Sequence, residues 1–219
     1  MNTNKGELDK LLNVKRKEAA VKFSDEKKDI YAKGISSITN SGIINKALNI
    51  GNKAPNFILN NALGKPVSLY NELENGPVIL TWYRGGWCPY CNITLRYLQD
   101  KLPEFKKAGA TLIALTPELP DKSLSTAEKN NLDFTVLSDV SNTIGKEYGV
   151  VFTLTNEVAA IYNDGFALNE QNGDSSNQLP LAATYVINQK GIITYAFLNS
   201  DYTERAEPNE ILSALQEIK

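Results

Sequence analysis

Apolar positions along this chain follow two rhythms. The first is helical. Leu8, Leu12, Ala19 and Phe23, with Leu11 beside them, recur at helical spacing, and Ser24-Asp25-Glu26 then opens a second helix with Ser24 as its N-cap. Ile30, Tyr31, Ile35 and Ile38 give that helix an apolar side; Ser41-Gly42 ends it, and Ile43 to Leu48 form a short third turn. After the turn Gly51-Asn52-Lys53-Ala54-Pro55 the rhythm changes. Asn56-Phe57-Ile58-Leu59 and Val67-Ser68-Leu69 predict a hairpin. Pro77 to Tyr83, Thr111 to Leu115 and Phe134 to Leu137 are short runs rich in β-branched and apolar residues, each read as a buried strand. Helical patterns separate them. One starts at Cys91 and carries the stripe Leu95, Leu98, Leu102 and Phe105; Pro103 inside it is expected to kink or restart it. Others cover Asp121 to Asn130, Asn142 to Tyr148 and Glu157 to Tyr162. Asn163 to Gln178 is rich in Asn, Gly, Asp and Ser and is read as a long loop, a surface insertion in preference to a binding element. Ala183 to Ile187 and Ile192 to Phe197 form a second hairpin, and Glu210 to Ile218 a final amphipathic helix.

The 219 residues suit one domain of ordinary size, over 49–219, preceded by a helical extension over 1–48. An arm packed on its own domain and an arm exchanged within a homodimer both fit that extension. The net charge is −2 with no basic block, which excludes a nucleic-acid partner. No window approaches the ~20 apolar residues of a membrane span, and the polar start lacks a secretory core. The expectation is a soluble, cytoplasmic protein.

The chemistry concentrates at Cys88-Pro89-Tyr90-Cys91, the only cysteines, and the chain has no histidine. A disulfide between residues three apart closes too small a loop to staple a fold, so the value of the pair is chemical. Zinc needs two further Cys or His ligands that do not exist, so no metal and no cofactor are expected. The pair lies where a buried strand hands over to a helix through Arg84-Gly85-Gly86-Trp87. A helix N-terminus favours thiolate over thiol. With no imidazole to help, activation falls to the helix end and to Arg84, although Arg84 also reads as an ordinary surface charge. Trp87 is read as a lid over the cysteines, and Glu118 and Asp139, at strand ends, as turn caps.

The order hairpin, β-α-β-α-β-α, hairpin, α is the thioredoxin plan with additions. Gly51 to Phe57, Tyr83-Arg84-Gly85-Gly86-Trp87-Cys88-Pro89-Tyr90-Cys91-Asn92, Asp121 to Thr126, Val136 to Asp139 and Thr184 to Ile187 together resemble the peroxiredoxin-like branch of the thioredoxin superfamily, related to alkyl hydroperoxide reductase and thiol-specific antioxidant proteins. The resemblance implies an α/β, thioredoxin-like fold: a central mixed β-sheet flanked by helices. It implies a thiol-dependent peroxidase acting on hydrogen peroxide or organic hydroperoxides, regenerated by a thioredoxin- or glutaredoxin-like thiol reductant. Against the family pattern Pro-x-x-x-Thr-x-x-Cys, Cys91 takes the peroxidatic place, Cys88 the Thr place and Arg84 the Pro place. The family's distant Arg falls near Ala182. In that reading Cys91 becomes a sulfenic acid, Cys88 resolves it as a Cys88–Cys91 disulfide, and Arg84 with the helix N–H groups stabilises developing charge. Against thioredoxin, Trp87-Cys88-x-x-Cys91 instead makes Cys88 the exposed attacking thiol of a protein disulfide reductase. A redox-silent module using 163–178 to bind a partner is the third reading.

Overall fold

The computed structural model describes residues 6–61 and 64–218. Three helices open it: α1 (Glu7–Lys22), α2 (Asp25–Asn40) and the short α3 (Ile43–Lys46). Ser24 caps α2 as expected, its side chain accepting from Lys27 N at 3.3 Å. A small hairpin follows, β1 (Ile58–Asn60) antiparallel to β2 (Pro66–Ser68), then α4 (Leu69–Asn75).

The centre is a five-stranded sheet. Its strands are β3 (Val78–Trp82), β4 (Thr111–Thr116), β5 (Thr135–Ser138), β8 (Thr184–Ile187) and β9 (Ile193–Phe197), in the order β5-β4-β3-β8-β9. β3 and β4 are parallel, crossed over by α5 (Pro89–Lys107); β4 and β5 are parallel, crossed over by α6 (Pro120–Lys129). β8 is antiparallel to both β3 and β9, which makes the sheet mixed. All five residues of β3 are buried, as a strand covered on both faces requires. Alternation sends Leu80 and Trp82 to one core, with Ile113, Leu115, Tyr148 and Tyr185. Ile79 and Tyr83 face the other, with Cys88, Cys91 and Leu95. Leu8 and Leu12 of α1 join this second core, as do Ile211 and Leu215 of α10 (Pro208–Glu217).

Two expectations are corrected. Pro103 does not restart the helix: α5 continues through it as one element. The stripe Leu95, Leu98, Leu102 and Phe105 stays buried along its length, and that packing outweighs one missing backbone donor. The stretch 163–178 is not one long loop. After α7 (Thr143–Glu147) and β6 (Val151–Thr153), α8 covers Asn156–Phe166, α9 covers Leu168–Asn172, and Gln178–Pro180 is β7, paired with β6. Ala167 turns the corner between the helices with φ 52°. Asn163 stitches that corner: its amide donates to Ala159 O and to Asn177 Oδ1, and its oxygen accepts from Asn169 N. The polar residues that signal a loop by composition here serve backbone groups. Among the described residues no helix is long and apolar enough to cross a membrane.

Candidate active site

β3 delivers the chain to Tyr83, and the next four residues turn it into α5. Cys88 is the N-cap of that helix and Pro89 its first residue, where a missing N–H costs nothing. The turn is pressed close to its neighbours. Gly85 has φ 153°, and a Cβ there would lie 2.2 Å from Trp87 Nε1; a Cβ on Gly86 would lie 2.0 Å from Thr126 Oγ1. Side chains fasten what the glycines leave free. Gly86 N donates to Glu118 Oε1 at 2.9 Å, and Asn92 Nδ2 donates to Gly86 O and Cys88 O at 2.7 and 3.0 Å. Asn130 Nδ2 holds Asn92 Oδ1 at 2.9 Å.

Both cysteines are free and completely buried. The exposed attacking thiol of the thioredoxin-type reading is therefore corrected: Cys88 has no exposed surface. Arg84 is also buried, at 3% exposure, and is not a surface charge. Its Nη2 donates to Cys88 Sγ at 3.4 Å and its Nη1 to Tyr162 Oη at 3.0 Å. The guanidinium lies over the Tyr202 ring at 4.1 Å and near Trp87 and Tyr162 at 5.1 and 5.3 Å. A second guanidinium reaches the other sulfur: Arg205 Nη2 donates to Cys91 Sγ at 3.3 Å. Arg205 is held by the carbonyls of Glu204, at 2.7 Å, and Tyr202.

These contacts split the two thiols. For Cys88, burial alone raises the pKa. A hydrogen bond from Cys91 and the charges of Arg84 and Arg205 outweigh it and hold the group well below the usual thiol range. For Cys91, burial, its hydrogen bond to Cys88 and the charge of Cys88 all push the thiol up. The same surroundings thus pull the two thiols in opposite directions, Cys88 down and Cys91 up.

A crevice of about 60 Å³ reaches the outer side of this group, walled by Arg84, Trp87, Tyr90, Tyr162, Tyr202 and Tyr31 of α2. Trp87 stacks on Phe166 with ring centroids 5.1 Å apart and meets Tyr162 at 5.2 Å, closing over the loop as a lid. Asp139 caps α7 as expected, accepting from Ile144 N and Gly145 N at 2.9 and 2.8 Å. Glu118 caps the cysteine turn, accepting from Gly86 N.

The structure thus brings Cys88, Cys91 and Arg84 together. It adds Arg205, which sequence reasoning missed. The resemblance puts the family's Arg near Ala182, but Ala182 is a buried alanine just ahead of β8, and the cation comes from the segment before α10. Residues 199–207 are polar without period, so no local signal marks Arg205. Tyr31, Tyr162 and Tyr202 read as helix-face or loop residues for the same reason.

A mixed sheet of this order, with a cysteine pair at the start of the helix after its central strand, defines a peroxiredoxin-like protein of the thioredoxin superfamily. Residues 50–196 match the model of the AhpC/TSA family, and the chain belongs to that family. It is 30% identical over 175 residues to peroxiredoxin Q, chloroplastic, of Arabidopsis thaliana, covering 80% of this chain and 71% of that one. The peroxiredoxin Q of Triticum aestivum is 29% identical over 178 residues, covering 81% and 71%. Among solved structures, peroxidoxin BcpB of Mycobacterium tuberculosis superposes with a TM-score of 0.62 at 21% identity, covering 78% of this chain and 99% of that one. A peroxiredoxin-like protein of Aquifex aeolicus gives 0.61 at 18%, covering 79% and 89%.

Proposed function

We propose that this protein is a thiol-dependent peroxidase whose Cys88–Cys91 pair is the redox centre, with Cys88 as the attacking thiolate. The observation that carries the reading is the pair of buried guanidiniums, Arg84 on Cys88 and Arg205 on Cys91, in a chain of the AhpC/TSA family. The Cys88 thiolate attacks the outer oxygen of a hydroperoxide; the S–O bond forms as the O–O bond breaks, and the departing alkoxide or hydroxide takes a proton. Arg84 stabilises the charge that moves from sulfur to oxygen. Cys91 then attacks the sulfenic sulfur, water leaves, and a Cys88–Cys91 disulfide forms. A thioredoxin- or glutaredoxin-like dithiol supplies the two electrons that reopen it.

The crevice bears on the substrate. A water molecule needs on the order of 10–15 Å³ of such space. About 60 Å³ therefore admits hydrogen peroxide or the –OOH end of a larger molecule. Neither sulfur lines the crevice.

Single-turnover assays of Cys88→Ser and Cys91→Ser test the assignment. Cys91→Ser is expected to consume one equivalent of peroxide and stop with a sulfenic acid on Cys88, trapped by dimedone; Cys88→Ser is expected to be inert. A second reading keeps Cys91 as the peroxidatic residue, favoured by its own donor Arg205 and its place in the family pattern; it requires the opposite outcome. A wild-type protein that leaves peroxide untouched but reduces a protein disulfide would end both in favour of a disulfide reductase.

A further inference from the structure

We propose that Glu118 is a redox-linked proton store for the cysteine pair: it holds a proton while the pair carries a thiolate and gives it up as the pair closes to a disulfide. This rests on the pair being redox-active, as proposed above.

The placement of Glu118 carries the argument. The residue stands two positions beyond β4 and is 1% exposed. One carboxyl oxygen accepts from Gly86 N, two residues ahead of Cys88. The other, Oε2, is buried with no hydrogen-bond partner among the described residues. A carboxylate half-satisfied in this way is costly to ionise, and a carboxylic acid is not. Among the described residues no ion pair with it is formed. Lys122 on α6 shares its groove but pairs with Asp121 at 3.3 Å, and Lys129 lines the groove further along. On the cysteine side the facing ionisable groups are Cys88 and Tyr83. Burial first, then the Cys88 charge, push the Glu118 carboxyl up to about 7, against the pull of Gly86 N–H, Thr116 and Lys122. The groove, about 320 Å³, runs from solvent to Glu118 and has Gly86 and Trp87 in its wall. Glu118 can therefore exchange protons with water on one side while sensing sulfur charge on the other.

Proton balance gives this arrangement its use. One hydroperoxide plus a thiolate–thiol pair plus one proton yields a disulfide, an alcohol and water. The pair supplies one proton, so one more is needed, and the site has no imidazole to provide it. Loss of the Cys88 charge on oxidation weakens the hold of Glu118 on its proton in the same event.

The test uses the intact protein and Glu118→Gln, whose amide oxygen still accepts from Gly86. The Glu118 carboxyl is titrated by carbon NMR in the dithiol form and after oxidation with diamide, which closes dithiols without peroxide; the resonance is assigned by its loss in the variant. A midpoint near 7 that falls clearly on oxidation is expected; equal midpoints in the two forms overturn the proposal. In single-turnover peroxide consumption, the wild type is expected to slow as pH rises past neutrality. Glu118→Gln is expected to be flat, and slower by about tenfold or more on the acid side. A variant that keeps the wild-type pH profile overturns the proposal. If the midpoint shift appears in protein that does not consume peroxide, only the peroxidase reading fails. A pair that diamide cannot close overturns both.

Discussion

Replacing Arg84 by Met removes one positive charge from within hydrogen-bond reach of the thiolate at nearly constant volume. At 3.4 Å from Cys88 Sγ, opposite unit charges attract by about 5 kcal/mol at an effective dielectric of about 20. That corresponds to a factor of roughly a few thousand in the proton affinity of Cys88. Arg205 remains nearby, so the figure is an upper bound. The thiolate absorbance of wild type and Arg84→Met, followed against pH in the ultraviolet, measures the midpoint directly. Peroxide consumption at neutral pH should fall in step with the thiolate fraction, by up to about 10³-fold. Arg84→Lys separates charge from shape. It keeps the cation but loses the fork that spans Cys88 and Tyr162 and the stack on Tyr202, and should fall between the two. Stability should change far less, because the lost contacts are offset by relief from burying a charge. An Arg84→Met protein that is folded, with its thiolate midpoint and peroxide rate unmoved, would refute the electrostatic reasoning.

Arg205→Met should leave the first burst of peroxide consumption within a few-fold of wild type and slow disulfide closure, since its contact is with the Cys91 sulfur; mass spectrometry of quenched samples follows both products. Glu118 should make the protein less stable in base. Its folded pKa of about 7 lies above the ordinary 4.5, so its contribution is complete below the ordinary value and is lost as pH rises through about 7, by about 3 kcal/mol. Denaturant unfolding at several pH values should show this fall in the wild type, and Glu118→Gln should lack it. Gly86→Ala should destabilise by about 2 kcal/mol, because its methyl would meet Thr126 Oγ1 at 2.0 Å; Thr126→Ala in the same chain should restore part of the loss in thermal melts.

What could be read from residues alone is what depends on neighbours in sequence. The period-two burial of Ile79 to Tyr83, the helical stripe Leu95 to Phe105, the Ser24 cap and the placing of two cysteines at a strand-to-helix junction all follow from local spacing. Those features sufficed for the thioredoxin-like plan and for placing Cys88, Cys91 and Arg84 in one strand-to-helix turn. Composition misled where polar side chains bond backbone, as Asn163 does at the α8–α9 corner, and where packing overrules a helix breaker, as at Pro103. The tertiary fold alone decided which cation each cysteine meets. Arg205 lies 114 residues from Cys91 and Tyr162 lies 78 from Arg84. Glu118 meets Gly86 across 32. Charge and solvation act through distance in space, and no spacing rule along the chain carries that information.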